Sequence, residues 1–368
     1  MKQPTSPTSM QGLRLNNHRL VLKKIEEARR ISRTELARAT ALSPASVTMI
    51  CDTLRQKGLI REIASNFSLS GRRPVFLEIN KNAGVVVSLL IDSTHTCSFC
   101  ISNLDYCLLL RRKITFRDMD DLLDQMEYCM GYTTQPVLGM AVSLEWEYNW
   151  ETNGSQPVHN LSARQLEQLL EQRFSIPVQV MEHNLICLKA YQFFFQSASF
   201  INPVYLHFDD SISVATLSSN GGSWGDMGHI TFSYHNPKVC YCGKVGCARM
   251  YCSPAILVSH LRRADGSPEI HHHVASYADA LLMLCDSAAR LYSADCLILG
   301  GEIAYLSELL NPVLAQKLRE TENALLQNLT IEIADNQDAL ELKGTCRLAA
   351  VNAFEKMHFN AERGNSRG

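Results

Sequence analysis

The run CYCGKVGC, residues 240–247, sets Cys240, Cys242 and Cys247 at C-x-C-x4-C spacing around two glycines that let the chain fold back on itself. With His229 upstream, in GHITFSYHNPKVCYCGKVGC, the segment offers one imidazole and three thiolates. That donor set suits a closed, tetrahedral zinc site with a structural role. The competing reading is three core cysteines and a hydrogen-bonded histidine. Cys252 and His235 lie near enough in sequence to replace a ligand. The chain carries 13 cysteines, an odd number scattered over 368 residues, which argues against a secreted disulfide framework. Most of them read as small buried hydrophobes.

A metal knuckle needs a folded body to hold it. At 46% hydrophobic and 20% charged residues, a chain of this length has material for two or three cores. The N-terminus MKQPTSPTSMQG has no apolar signal region, and no later segment offers about 18 uninterrupted apolar residues. The expected setting is cytoplasmic, with no membrane partner.

Charge is unevenly spread. Residues 1–80 hold 14 Lys and Arg against 6 Asp and Glu, a net of +8, so with −2 overall the remainder carries −10. Such a head is a candidate polyanion binder. Val21, Ile25 and Ala28 recur at helical spacing and predict a first helix with one buried stripe. A second helix starts at Ser32, with Glu35 completing a capping box, and a third starts at Ser43 with Pro44 at its first position and Gly58 ending it. Val47, Ile50, Cys51 and Leu54 form the inward face of that third helix. Ala45, Ser46, Thr48 and Met49 are left outward near its N-terminus, small enough to enter a major groove. Two alternating strands follow, joined by a polar loop with Gly71, Arg72 and Arg73. Three helices and a basic hairpin predict a winged helix-turn-helix that binds double-stranded DNA. Ser43, Ala45, Ser46, Thr48 and Met49 would lie against bases, Arg72 and Arg73 in the wing would meet DNA, and Arg33, with Arg14, Arg19 and Lys57, would meet phosphates.

From about residue 81, strand-like runs (VVVSLLID, PVLGMAVSL, PVQVMEHN, VYLHFDDSISVATLSS, DCLILGGEIAY) alternate with helical ones (SARQLEQLLEQRF, LICLKAYQFFF, YADALLMLCDSAARLYS). The alternation predicts an α/β domain over residues 81–368. The basic winged helix, SGRRP, VVVSLLID, PVQVMEHN, GDMGHI, CYCGKVGC and LILGGEI follow one another as in the ROK family of repressors and sugar kinases, which the chain resembles over roughly residues 15–358. The resemblance implies a two-lobed, actin-like (ribonuclease H-like) ROK domain behind the winged helix, a sugar site, and a homodimer or higher homo-oligomer. The family's zinc ligands match His229, Cys240, Cys242 and Cys247. Its sugar contacts would fall at Asn160, Asn184, Asp226, His229 and Arg249, with His183 matching a histidine of some repressor members.

Several departures bear on activity. Where the family's kinases carry glycine-rich phosphate turns, this chain has DSTHT (Asp92–Thr96) and DDSIS (Asp209–Ser213), neither with glycine. The position of the catalytic aspartate is Asn184, and an amide is no general base. The family usually has glutamate at the positions of Asp226 and Arg249, and the charge reversal at Arg249 favours an anionic sugar derivative if it faces the ligand. The expected function is a repressor of carbohydrate-utilisation genes that senses a sugar or sugar derivative through a catalytically dead kinase-like domain. The alternatives are a sugar kinase with a DNA-binding head, or a regulator controlled by a protein partner.

Overall fold

Ser32 and Ser43 open the two helices that their sequence context predicts. The computed structural model describes residues 10–64, 75–91, 95–144, 162–195, 200–209, 211–218, 221–233, 237–334 and 337–357. In the head, α1 spans Met10–Ala28, α2 Arg33–Thr40 and α3 Pro44–Gln56. The Glu35 N–H donates to Ser32 Oγ at 3.2 Å and the Ser32 N–H donates to the Glu35 carboxylate at 2.8 Å, a complete capping box. Ser43 Oγ accepts from the Ser46 N–H, Pro44 sits at the first position, and Gly58 follows α3 in the left-handed region at φ +71°. Val47, Ile50, Cys51 and Leu54 are buried. Ser43, Ala45, Thr48 and Met49 are exposed and Ser46 is half-buried.

α1 departs from expectation. Val21 and Ile25 are buried, but Ala28 is exposed, because the backbone turns left-handed at Arg29 (φ 61°) and the helix stops there. Leu22 and the charged Glu26 complete the buried stripe instead. Strands β1 (Ile31–Ser32), β2 (Ile60–Ala64) and β3 (Val75–Ile79) form an antiparallel sheet in the order β1-β3-β2. A two-residue strand such as β1 is too short to show an alternation and exists through its pairing with Phe76 and Leu77. The loop with Arg72 and Arg73 lies outside the described residues.

The chain sorts into two compact units. The first gathers residues 1–142, 153–180 and 345–368. Besides the head it holds a sheet in the order β6-β5-β4-β7-β8, from β4 (Val85–Ile91), β5 (Thr96–Asn103), β6 (Leu108–Thr115), β7 (Val137–Leu144) and β8 (Val178–Glu182). The run of β4, apolar except for Ser88, is buried almost throughout, as befits a central strand. Helices α4 (Met119–Met130) and α5 (Ala163–Phe174) are capped by Asp118 and by a Ser162–Gln165 capping box.

The second unit comprises residues 143–152 and 181–344. Its helices are α6 (His183–Phe194), α7 (Arg249–Cys252), α8 (Pro254–Leu261), α9 (Ser267–Tyr292), α10 (Ser307–Glu320) and α11 (Ala324–Asn328). Its sheet runs β11-β10-β9-β12-β13, with β9 (Pro203–Phe208), β10 (Ile212–Ser218), β11 (Gly221–Asp226), β12 (Cys296–Gly301) and β13 (Thr330–Ile333). β9, β10 and β11 are antiparallel neighbours, and β12 pairs parallel with β9 and β13. The central strands β9 and β12 are buried on both faces, and the period of two decides which side chain goes where. Val204, Leu206, Phe208, Leu297 and Leu299 enter a large core with α9 and α10. Tyr205, Ala215 and Ile298 turn to the other face, onto Cys187, Leu188 and Tyr191 of α6. His207 and Ser213 share that second parity, so strand geometry alone delivers them to the start of α6. Helix α12 (Gln337–Lys356) gives its first residues to the second unit and the rest to the first. Among the described residues no helix is long and apolar enough to cross a membrane.

Candidate functional site

Thr231 bridges to Cys247 and Val239 to Val245, and the Gly243 N–H donates to the Cys240 carbonyl at 3.0 Å, so residues 239–247 form a tight knuckle. Gly243 and Gly246 both adopt positive φ, and a Cβ at Gly246 would overlap the Ser233 carbonyl oxygen. Only glycine permits this closure. The knuckle brings His229, Cys240, Cys242 and Cys247 together with their ligand atoms all within 4.8 Å of one another. Cys242 Sγ and Cys247 Sγ are 3.7 Å apart, and Cys240 Sγ lies 3.6 Å from His229 Nδ1. A tetrahedron with metal–sulfur bonds of about 2.3 Å and metal–nitrogen bonds of about 2.0 Å has S···S and S···N edges of roughly 3.8 and 3.5 Å. The four donors therefore form a group that could hold a metal ion. A hydrogen bond from the Lys244 backbone N–H also lowers the Cys242 thiol below its usual range. Cys252 is not part of the group: its thiol is buried and donates to the Ala280 carbonyl at 3.5 Å. His235 lies outside the described residues.

Nδ1 of His229 faces the Cys240 thiol, and its Nε2 meets the Tyr241 hydroxyl at 3.1 Å. The Arg249 guanidinium stacks on the Tyr241 ring, 4.1 Å from its centroid. Tyr241 thus links His229 to Arg249. Its position between two cysteines is visible in sequence, but nothing there shows that the hairpin turns its ring toward His229.

His183, Asn184, Asp226 and Arg249 belong to the same unit as the knuckle. Ser213 and Asp226 are register partners across β10 and β11. Asn184, in the first turn of α6, donates from Nδ2 to Glu182 Oε1 at 2.6 Å and to Ser213 Oγ at 2.9 Å. Its Oδ1 is buried and finds no donor among the described residues. Asp226 is exposed and accepts from the Gly228 N–H at 2.6 Å, and the Arg249 N–H donates to the Gly228 carbonyl at 2.9 Å. Asn160 lies outside the described residues. His183 is buried with its ring edge-on to His207, centroids 4.3 Å apart. Burial, with His207 adjacent, drives it down to about 3, so it is a neutral imidazole.

Residues 155–351, more than half of the chain, match the sequence profile of the ROK family. The chain belongs to the ROK family. Residues 14–61 separately match a winged helix-turn-helix DNA-binding profile. Among curated relatives, the xylose repressor of Caldicellulosiruptor bescii is 22% identical over 89% of this chain and 94% of its own length. That of Bacillus subtilis is 24% identical over 68% of each. Among solved structures, a ROK family transcriptional regulator described as a homolog of the E. coli MLC protein superposes with a TM-score of 0.72, at 20% identity over 93% of this chain and 97% of that one. A ROK family glucokinase from Streptomyces griseus gives a TM-score of 0.53 at 16% identity, over 73% and 99%. The fold is that of a winged helix followed by a ROK domain.

One pair within this ROK domain was not singled out from sequence. In DDSIS, Asp209 accepts a 2.6 Å hydrogen bond from His207 Nε2, and its Oδ1 accepts from the Glu302 N–H at 3.4 Å. Burial alone would raise the Asp209 carboxyl, but the bond and charge of His207 outweigh it and hold it below the usual range. In the head, Arg33 is engaged by carboxylates, Nη2 to Asp52 at 3.2 Å and Nη1 to Glu62 at 2.8 Å.

Glu182 gives a pH test of this site. Desolvation raises it to about 7, against roughly 4.3 in an unfolded chain. The folded state thus favours the protonated acid. This contribution to stability is complete below the unfolded value and is lost as pH rises toward 7. Glu182→Gln cannot ionise and is expected to remove on the order of 3 kcal/mol of the stability loss that the native protein undergoes between pH 5 and pH 8. It also carries a pH-independent cost, because the Leu185 N–H, which donates to Glu182 Oε2 at 3.0 Å, would face the amide NH2. Thermal unfolding of both proteins in the two buffers measures it.

Proposed function

We propose that this chain is a sugar-responsive, DNA-binding repressor. Its winged helix (residues 1–80) reads an operator, and its ROK domain (residues 81–368) is a sensor without catalytic activity. The observation that carries the reading is a recognition helix with Ala45, Thr48 and Met49 exposed, placed in one chain with a ROK domain. Relatives named xylose repressor that match most of its length support it. A homodimer would present two such helices to a roughly palindromic operator, with Arg72 and Arg73 adding charge and Arg33 reaching a phosphate by exchanging its Asp52 and Glu62 partners.

Zinc is the metal whose coordination habits fit His229 and the three cysteines. When bound it would supply rigidity, fixing the loop that carries Tyr241 and His229 next to Arg249. The ligand would be held by His183, Asn184, Asp226, His229 and Arg249, with Asn160 a further contact. The unsatisfied Asn184 Oδ1 is an acceptor suited to a sugar hydroxyl. Loss of kinase activity is supported by the same residues. Asn184 cannot take a proton from a hydroxyl, and the anionic Asp209 occupies the second phosphate turn, where it would repel a nucleotide. By binding one arrangement of the protein better than another, the sugar would shift DNA affinity.

The test is selection of DNA from a random-sequence pool by the full-length protein, followed by a thermal-shift and DNA-release panel of neutral sugars, sugar acids and sugar phosphates. A recovered operator released by at least one of them is the expected result. An anionic hit should weaken by roughly ten- to a hundredfold in Arg249→Glu, the value of one charge-assisted contact. Recovery of no operator would refute the reading.

A further inference from the structure

Glu26 sits on the buried side of α1 with 2% of its surface exposed. An isolated carboxylate there would carry a large desolvation cost. It is instead held from two sides. Arg347 of α12 forks it, Nε to Oε1 at 2.8 Å and Nη2 to Oε2 at 3.0 Å. Tyr106, between β5 and β6, donates its hydroxyl to Oε1 at 2.6 Å. Burial and the adjacent carboxylate keep the Tyr106 phenol well above its usual range, so it stays a donor. Arg29 lies 4.7 Å over the Tyr106 ring and pairs with Asp105 at 3.5 Å. Earlier on α1, Lys23 pairs with Glu355 at 3.4 Å and Arg19 donates to the Met357 carbonyl at 3.3 Å. One side of α1 is therefore joined to α12 by directional, charge-bearing contacts. A cleft of about 420 Å³ opens beside them, with Arg61 and Glu78 of the winged sheet on one side and Leu104, Asp105 and Tyr106 on the other.

We propose that Glu26 is the positioning residue of the DNA-binding head: gripped by Arg347 and Tyr106, it fixes the angle of the winged helix and so sets the half-site spacing that two copies of this chain can read together. This rests on the reading of the chain as a dimeric operator-binding protein. A planar guanidinium bonded to both carboxylate oxygens restrains orientation as well as distance, whereas apolar side chains can slide. The cleft leaves room for the head to turn once that restraint is gone. In a two-fold complex a small turn matters, because each added base pair moves a half-site by about 3.4 Å and rotates it by roughly 35°.

The experiment uses full-length protein and the operator it selects from random-sequence DNA, with the spacer between half-sites lengthened or shortened by one base pair. Native protein is expected to lose at least about tenfold in affinity on either altered spacer. Glu26→Gln keeps the shape and removes the charge. It is expected to bind the selected operator about tenfold more weakly while discriminating the spacers by less than about threefold, with an unchanged slope of affinity against salt because no phosphate contact is lost. Tyr106→Phe removes one hydrogen bond, is expected to fall between the two, and carries the test if Glu26→Gln does not fold. Folded variants with native spacer discrimination would overturn the proposal, as would native protein indifferent to the spacer. Native protein that selects no DNA refutes the repressor reading instead.

Discussion

Cys247→Ser is expected to release the metal and to destabilise the second unit by more than about 4 kcal/mol, the range that marks loss of a metal site. A serine hydroxyl is a poor zinc ligand at neutral pH, and three remaining donors do not close a tetrahedron. The effect should be large because few apolar side chains hold the knuckle: Val239, Tyr241 and Val245 are all exposed. It should also spread, since Cys247 is buried and is followed directly by Ala248, and one short helix later by Cys252, both of the main core. Metal analysis of unchelated native protein should give about one zinc per chain, and the variant well below that. Native protein with far less than one equivalent, or a variant that melts with the native protein, would dispose of the site.

Deleting residues 1–80 should lower operator affinity at least about a thousandfold, to the level of non-specific binding or below it, because both the recognition helix and the +8 charge are lost. The truncated chain should keep its metal and its thermal response to the sugar, since His229, the three cysteines, Asn184, Asp226 and Arg249 all belong to the second unit. Within the intact head, exchanging Thr48 should change which sequences are preferred. Arg33→Ala should weaken all sequences together, and it should also cost stability, because Asp52 and Glu62 would lose their shared partner. Unchanged DNA affinity after the deletion would show that the head does not bind DNA.

What the sequence determined by itself was whatever depends on neighbours within a few residues. Caps at Ser32 and Ser43, the stop at Gly58, the inward face of α3 and the alternation of β9 and β10 follow from local sterics and periodicity. C-x-C-x4-C around two glycines likewise already prescribes a knuckle that gathers its sulfurs. Tertiary structure decided the rest, because it depends on partners far apart in the chain. Ala28 fits the helical period yet is exposed, since the backbone leaves the helix at Arg29. Glu26 looks like a surface glutamate and is buried, because Arg347, 321 residues away, neutralises it. Tyr241 and the His207–Asp209 pair gain their roles from a hairpin and from strand parity, neither of which any single residue type announces. A charge or hydroxyl goes inside only where a matching group is brought to it, and that matching is a property of the folded chain.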